Sequence, residues 1–303
     1  MVELENDKIR KVVREHYGNA ATRSRISSCC SLSSNTEKKI VIPCGESTCN
    51  TIKIPADKLG DVIEKLHAEL GYSREDLGSI PEEANLSLGC GNPTAHASII
   101  EGEVVLDLGS GGGIDVFLAA NKVGKIGNVI GVDMTPEMID RARENAKKGN
   151  YENVEFRLGE IENLPVADNT VDLIISNCVI NLSPDKERVF QEAYRVLKPG
   201  GRIMVSDIVL LKELPEEIKT NIEAYVSCIG GAILKDKYIE AIEKAGFQDV
   251  EILEKNDFST IDFLRNDPNV KELLGDQIKV FDDLTELEVF NTSLKVKAIK
   301  PIK

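Results

Sequence analysis

The sequence contains no tryptophan, and only 5% of its 303 residues are aromatic. This scarcity argues against the aromatic platforms on which single-stranded nucleic acids stack. Positive charge is also in short supply, because 51 acidic side chains outnumber 37 basic ones and give a formal net charge of -14. A surface of that sign repels a phosphate backbone, so we expect no nucleic-acid partner and no DNA-binding regulator.

Long apolar runs are missing as well. No stretch approaches the roughly 18 apolar residues that a membrane-spanning helix needs, so no membrane partner is expected. Residues 1–7 are acidic and lack the apolar centre of a signal peptide. We therefore expect a cytoplasmic protein whose thiols stay mostly reduced. Its seven cysteines then suit metal-binding, redox or catalytic roles better than a disulfide framework.

An apolar run followed at once by glycines occupies residues 104–113. This order predicts a strand, a tight turn and a helix, the first unit of a doubly wound nucleotide-binding sheet. Gly109 and Gly111 permit a sharp turn and a close approach of backbone to ligand. The spacing departs from the dinucleotide fingerprint, because Ile114 stands in place of the third glycine. Asp107 just before the turn suits a ligand with a positive amino group better than a pyrophosphate.

A second apolar run ends on Asp133, about 20 residues further on, where a carboxylate can bond ribose hydroxyls. A glycine turn followed by this carboxylate is the pattern of S-adenosylmethionine-dependent methyltransferases of the doubly wound class. For Met134 and Ile161, plain core packing is an equally good interpretation, and Asp133 is alternatively a helix cap before Pro136. The residues predicted to bind S-adenosyl-L-methionine are Asp107, Gly109, Ser110, Gly111, Gly113, Asp133, Met134, Glu160, Ile161 and Asn177.

Apolar and amphipathic segments alternate along the middle of the chain. Strands are predicted at 104–108, 128–133, 154–159, 171–177 and 202–207, with helices near 113–123, 136–148 and 185–197. This alternation predicts a parallel α/β sheet with helices on both faces. Asp185 is predicted to cap the last of these helices, and residues 199–201, Pro-Gly-Gly, to form a turn before the fifth strand.

The regions before and after this alternating segment have weaker patterns. We predict an amphipathic helix at 4–17 ending near Gly18, strands within 39–54, helices at 57–70 and within 215–245 ending at Gly246, and edge strands near 249–255 and 293–300. Residues 256–290 give no readable pattern. The predicted architecture is a Rossmann-like class I methyltransferase sheet in three parts: an N-terminal cap at 1–84, a cofactor-binding core at 85–210 and an acceptor-binding, sheet-completing region at 211–303.

Three cysteines fall where the ends of the strands should meet. Cys178 ends the fourth strand, Cys228 follows the fifth beside a glycine pair, and Cys90 precedes the first. Three thiols at a cofactor mouth suit a soft, pyramidal ion such as trivalent arsenic, whose lone pair can attack a sulfonium methyl group in line. The alternative is packing, since free cysteines are often small buried apolar residues. The apolar neighbours of Cys178 favour packing, whereas the glycine turn around Cys90 favours function.

Four stretches together resemble the arsenite methyltransferases that use S-adenosylmethionine, namely 85–93, 106–115, 176–182 and 228–232. The cysteine motifs are specific, whereas the glycine turn marks the whole superfamily. The resemblance implies that Cys178 and Cys228 hold trivalent arsenic and that Cys90 is a third ligand or a redox relay. It implies one more catalytic cysteine in the adjacent pair Cys29–Cys30, of which we name Cys30, although the sequence does not separate the two. It also implies arsenite as substrate, mono- and dimethylated products, and a thiol reductant such as thioredoxin or glutathione.

Cys44 and Cys49 match no motif of that family. A zinc site that joins them to Cys29–Cys30 is disfavoured, because adjacent ligands fit one tetrahedral ion poorly. Structural or additional metalloid-binding roles are preferred. Two alternative functions remain: a methyltransferase for a small organic acceptor such as a quinone, and a non-catalytic metalloid-binding protein. The intact glycine turn and Asp133 argue against the second, because a pure binder has no use for a methyl donor.

Overall fold

The computed structural model describes residues 2–22, 37–42, 50–55, 65, 67–86, 88–214, 225–226, 228, 230–256 and 291–302. Cys29, Cys30, Cys44 and Cys49 lie outside these ranges, as do most of the predicted helix at 57–70 and the unreadable segment up to residue 290. Near the N-terminus, β1 (Glu37–Ile42) and β2 (Asn50–Pro55) pair in antiparallel fashion. The prediction of strands within 39–54 is therefore confirmed.

The remaining described strands form one seven-stranded sheet in the order β5-β4-β3-β6-β7-β9-β8. Their bounds are β3 Val104–Leu108, β4 Asn128–Asp133, β5 Val154–Leu158, β6 Val171–Asn177, β7 Leu197–Leu210, β8 Gln248–Asn256 and β9 Asn291–Ile299. The first five pair in parallel, and β9 runs antiparallel to both β7 and β8. The predicted doubly wound sheet is confirmed. The strands predicted near 249–255 and 293–300 are confirmed as β8 and β9, and they make the sheet mixed.

The described helices connect these strands and cover the sheet. They are α1 Val2–Thr22, α2 Arg74–Gly78, α3 Pro93–His96, α4 Ile114–Val123, α5 Pro136–Lys148, α6 Lys186–Val196 and α7 Lys235–Lys244. The predicted cap is confirmed, because the Asp185 carboxylate accepts a hydrogen bond from the Arg188 amide at 3.0 Å. The predicted stop at Gly246 is confirmed too, with φ at +106°. Every helix in the ranges given above is too short or too polar to cross a membrane.

The core is split between the two faces of the sheet. In β3, Leu106 and Leu108 pack in one apolar cluster, together with α6 and α7, and Val105 packs in the other, together with α4 and α5. Successive side chains of a strand point to opposite faces, so a strand covered on both sides must be apolar almost throughout. This double burial is the physical reason for the unbroken apolar run ahead of the glycine turn.

The predicted end of the first helix near Gly18 is wrong, since α1 continues to Thr22. Gly18 is buried where α1 crosses α5, and a side-chain carbon built on it would lie 3.0 Å from the Glu137 Oε2 atom. The lack of a side chain at Gly18 therefore allows two helices to pack closely and does not mark the end of a helix. The sequence of α1 alone carries no sign of this partner.

The predicted turn at 199–201 is also wrong in form, because these residues lie within β7. Val171 pairs with Leu197 but Leu173 pairs with Arg202, so the intervening residues form a bulge against β6. Gly200 adopts φ of +80° there, a conformation that glycine tolerates best. The Pro-Gly-Gly signal thus marks an irregularity within a strand rather than its beginning.

Candidate functional site

A cleft opens at the carboxyl ends of the parallel strands, where ligands of doubly wound sheets bind. Its empty volume is about 1100 Å³, the open mouth included. Most of the residues predicted to bind the cofactor line it, namely Asp107, Gly109, Ser110, Gly111, Asp133, Met134, Ile161 and Asn177. The topology therefore gathers side chains from four strand ends into one concave surface.

The glycine turn has a backbone that other residues adopt with difficulty. Gly109, Gly111 and Gly113 have φ of +69°, +50° and +98°. A side-chain carbon built on Gly109 would overlap Val179, and one on Gly113 would lie 2.7 Å from the Phe117 ring. Gly113 is the N-cap of α4 and is not among the cleft-lining residues. Its glycine is needed for packing under the turn.

Asp133 ties the second strand to the glycine turn. One carboxylate oxygen accepts the Gly111 amide hydrogen at 2.9 Å, and the other accepts that of Thr135 at 2.8 Å. Burial raises the pKa of Asp133, and these two amide bonds oppose the rise. The carboxylate therefore shapes the loop as well as facing the cleft.

Asp107 is the most isolated charge in the cleft. Its residue is 3% exposed, and no donor within the described part of the chain bonds its carboxylate. Burial raises the pKa of Asp107 well above its usual range, and the carboxylates of Asp115 and Asp133 add to the rise. A buried anion that lacks a donor is stabilised by a positively charged ligand.

Glu160 does not join the cleft-lining set. Its carboxylate is 39% exposed and pairs with two arginines of α1, with Arg10 at 3.6 Å and Arg14 at 3.5 Å. Glu162 lines the cleft instead, and it accepts hydrogen bonds from Ser183 at 2.8 Å and Arg10 at 3.3 Å. Sequence reasoning missed Glu162, although an acidic residue so near the end of a strand carried the same signal as Glu160.

Helix α1 covers one side of the cleft. Arg10, Val13 and Tyr17 all line it, and the Tyr17 hydroxyl donates to the Val226 carbonyl at 3.0 Å. Burial raises the pKa of Tyr17 well above its usual range, with further contributions from Cys228 and Cys178. Tyr17 therefore lies beside both the cleft and the cluster that contains Cys178 and Cys228.

The structure brings Cys90, Cys178 and Cys228 together. The Cys228 thiol donates to the Cys178 carbonyl at 3.0 Å, and Cys178 lines the cleft. The sulfurs of Cys90 and Cys178 and a carboxylate oxygen of Asp207 lie within 4.8 Å of one another. All three cysteines are free thiols. Sequence reasoning missed Asp207, whose position at the end of a predicted strand was the available signal.

Two of these cysteines have unusual backbones. Cys178 and Cys228 are 8% and 4% exposed and have φ of 58° and 66°, in the left-handed region that favours glycine. Such conformations cost free energy and cluster at functional sites. Simple apolar packing gives no reason for two neighbouring buried cysteines both to adopt this backbone conformation.

The Cys90 and Cys178 thiols resist ionisation. Hydrogen bonding with Cys228 and then with Cys90, followed by burial, raises the pKa of Cys178 well above its usual range. For Cys90, the hydrogen bond with Cys178 lowers the pKa, but burial and the neighbouring Asp207 and Cys228 outweigh it. Cys90 and Cys178 are therefore mostly protonated at neutral pH before a ligand arrives.

Asn177 anchors the segment that carries Cys90. Its side-chain oxygen accepts the Cys90 amide hydrogen at 3.1 Å. Its NH₂ group lies within bonding distance of the Gly91 carbonyl at 2.7 Å, the Asp115 carboxylate at 2.9 Å and the Tyr72 hydroxyl at 2.9 Å. Burial raises the pKa of Asp115 to about 6. The role predicted for Asn177 in cofactor binding stays a prediction, since this amide is already engaged by the protein.

Replacing Asn177 with alanine should lower the free energy of unfolding by about 2–4 kcal/mol, because buried partners then lose their bonds. Thermal and urea unfolding measure the change. Asn121→Ala is the matched control: its amide is exposed and bonds Ser79 at 3.2 Å and longer, so its loss should cost less than about 0.5 kcal/mol. Equal losses in the two variants would contradict the anchoring role.

Comparisons with known proteins agree with this geometry. Residues 99–246 match a family model described as a methyltransferase domain. The chain is 44% identical over 256 residues to an arsenite methyltransferase of Halobacterium salinarum. The aligned region covers 83% of this chain and 60% of that protein. It is 40% identical over 186 residues to the human arsenite methyltransferase, and this alignment covers 58% of this chain and 49% of that protein. The chain thus spans about half to three-fifths of the length of these curated relatives.

A solved structure extends the agreement to the fold. The crystal structure of an arsenic (III) S-adenosylmethionine methyltransferase from Chlamydomonas reinhardtii is 34% identical and superposes with a TM-score of 0.56. The match covers 78% of this chain and 73% of that one. The sheet is therefore that of the class I methyltransferases, as predicted. With the glycine turn and the gathered cysteines, these matches show that the chain belongs to the arsenite methyltransferase family.

Proposed function

We propose that this protein transfers methyl groups from S-adenosylmethionine to trivalent arsenic that is bound by Cys90, Cys178 and Cys228. The observation that carries the proposal is the convergence of three cysteines, distant in sequence, beside a cleft lined by the glycine turn. The names of the relatives support the same chemistry.

The cleft residues fit the cofactor. S-adenosylmethionine carries a positive ammonium and a positive sulfonium, and Asp107 is a buried carboxylate with no donor from the described residues. A side-chain carbon built on Gly111 would meet only the Met138 sulfur, at 4.0 Å, so the turn presents open backbone. Asp107 and Gly109–Gly111 would hold the amino-acid part, and Asp133 the ribose. When bound, the cofactor would supply an activated methyl group to the lone pair of arsenic.

Arsenite binding suits thiols that are still protonated. For each ligand, an S–H bond and an As–O bond break, an As–S bond forms, and the thiol proton leaves with the arsenic hydroxyl as water. No charge has to be buried in this exchange. The raised pKa of Cys178 is therefore compatible with ligation. Three sulfurs leave the arsenic pyramidal with its lone pair free.

The protein's main contribution is position. Cys178 lies both in the thiol cluster and on the wall of the cleft, so an arsenic atom bound there is held next to the methyl donor. Fixing two reactants in a productive arrangement supplies on the order of 7–11 kcal/mol. No acid or base is required of the chain for the transfer itself.

Further parts of the proposal reach beyond the described residues. Cys30 is proposed as an additional participant, and a thiol reductant such as thioredoxin or glutathione as the partner that returns arsenic to the trivalent state. We retain the division at 1–84, 85–210 and 211–303, in which α1 of the first part covers the cleft and β8 and β9 of the last complete the sheet. A cytoplasmic location is proposed with them.

The test is incubation of the protein with arsenite, S-adenosylmethionine and glutathione, with arsenic products identified by mass spectrometry. Methylated arsenicals are expected. Absence of products while cofactor binding stays intact would contradict the proposal. Transfer to a quinone that survives replacement of all three cysteines by serine would favour the organic-acceptor alternative.

A further inference from the structure

A carboxylate shares the cysteine cluster. The Asp207 residue is fully buried, and one of its oxygens lies within 4.8 Å of the sulfurs of both Cys90 and Cys178. Trivalent arsenic that is bound by three sulfurs has its full set of ligands and does not need this oxygen. The carboxylate therefore adds a negative, hard donor to a pair of soft ones, and this combination is unexplained by the proposed function.

The hydrogen bonds of Asp207 leave room for one more partner. One oxygen accepts from the Asn181 amide at 2.8 Å and from the Ile208 backbone amide at 2.9 Å. The other accepts from the Tyr238 hydroxyl at 3.1 Å. An ionised carboxylate has about four acceptor positions, so one remains. Because three donors fix its orientation, the carboxylate is held in place before any ligand arrives.

No cation within the described residues forms an ion pair with Asp207. Lys186, whose charge interacts with Asp207, donates to the carbonyls of Asn181 at 3.3 Å and Ser183 at 2.9 Å. A buried carboxylate beside two thiols is therefore poorly compensated, and a bound cation would supply the missing positive charge.

We propose that Cys90, Cys178 and Asp207 form a binding site for a thiophilic divalent cation, with Cd²⁺ and Zn²⁺ as the fitting ions. Two sulfurs and one oxygen around a d¹⁰ ion leave the fourth tetrahedral position to water. Because these atoms lie within 4.8 Å of one another, typical metal–ligand lengths require them to approach by at most about 1 Å. On binding, two S–H bonds break, two S–metal bonds form and two protons pass to solvent.

This cation site shares Cys90 and Cys178 with the proposed arsenic site. The expected competition with arsenite rests on the proposed function, whereas cation binding itself does not. The two ligands differ in their third donor within the protein. The cation uses the Asp207 oxygen, whereas arsenic uses the Cys228 sulfur. Each ligand therefore depends on a residue that the other does not need, which makes the two sites separable by substitution.

The experiment is titration of the reduced full-length chain with Cd²⁺, followed by thiolate-to-metal charge-transfer absorption, and parallel calorimetric titration with arsenite. Asp207→Asn should weaken Cd²⁺ binding at least about tenfold, since loss of even an outer partner costs that much. The same variant should leave arsenite affinity within about threefold, because asparagine preserves the shape and two of the three bonds. In the wild type, bound Cd²⁺ should raise the apparent dissociation constant of arsenite.

Two further variants complete the design. Cys228→Ser should weaken arsenite binding at least about tenfold and leave Cd²⁺ affinity within about threefold. Tyr238→Phe keeps the carboxylate as a ligand and removes one donor that orients it, so Cd²⁺ affinity should fall less than in Asp207→Asn. Thermal unfolding of each variant confirms that it is folded. Unchanged Cd²⁺ affinity in Asp207→Asn overturns the inference. Unchanged arsenite affinity in Cys228→Ser contradicts the proposed arsenic site and leaves the cation site standing.

Discussion

Replacing Cys178 with serine should reduce arsenite methylation by more than about 100-fold, a larger loss than removal of an outer-shell partner causes. The dissociation constant of S-adenosylmethionine should change by less than about threefold. The reason is that Cys178 is the thiol common to the cysteine cluster and the cleft wall, whereas the residues proposed to hold the cofactor are the glycine turn and Asp133. Turnover assays and calorimetric binding of the cofactor measure the two quantities.

Cys178→Ala is the control that separates ligation from packing. Alanine is small and apolar, so it preserves most of the packing at a buried position but provides no arsenic ligand. Ligation predicts that both variants are inactive and that both bind the cofactor. If the alanine variant retained turnover, or if cofactor affinity fell together with turnover in both variants, Cys178 would be a packing residue.

Replacing Gly109 with alanine should weaken cofactor binding by more than about 100-fold. The residue has φ of +69°, where a side chain costs about 1–2 kcal/mol, and the new carbon would overlap the Val179 side chain. Overpacking of this kind adds about 1–3 kcal/mol. We therefore expect the free energy of unfolding to fall by about 2–5 kcal/mol, measured by urea denaturation, with the loss of binding measured by calorimetry.

Gly78→Ala provides the matched control. Gly78 is the last residue of α2, and a side-chain carbon built on it meets nothing within 4 Å. Substitution there should change stability by less than about 1 kcal/mol and leave cofactor binding unaltered. Similar effects at the two glycines would show that the turn at Gly109 is not constrained in the way the structure indicates.

The features that the sequence predicts well are those fixed by local chemistry. The apolar run 104–108 and its glycines identify β3 and the turn, because a strand buried on both faces leaves a pattern in its own residues. The gathering of Cys90, Cys178 and Cys228 follows from a topological rule about where the ends of parallel strands meet. These inferences need no knowledge of which side chains touch.

The features that it misses depend on partners far along the chain. From sequence, Gly18 indicates the end of a helix, but in the structure it allows α5 to pack closely against α1. The Pro-Gly-Gly stretch indicates a turn, but in the structure it forms a bulge in β7 against β6. Glu160 and Glu162 are indistinguishable by spacing, and only the fold turns Glu162 into the cleft. Asp207 stands at the end of the predicted strand 202–207, and its meaning comes from two cysteines that other segments supply.

The central claim is that three cysteine sulfurs hold the arsenic, and X-ray absorption at the arsenic K-edge tests it directly. The sample is the reduced protein with one equivalent of arsenite, compared with Cys228→Ser prepared identically. The account predicts three sulfur neighbours in the wild type, and two sulfurs with one oxygen in the variant. An identical arsenic environment in both proteins, or mainly oxygen neighbours in the wild type, would contradict it.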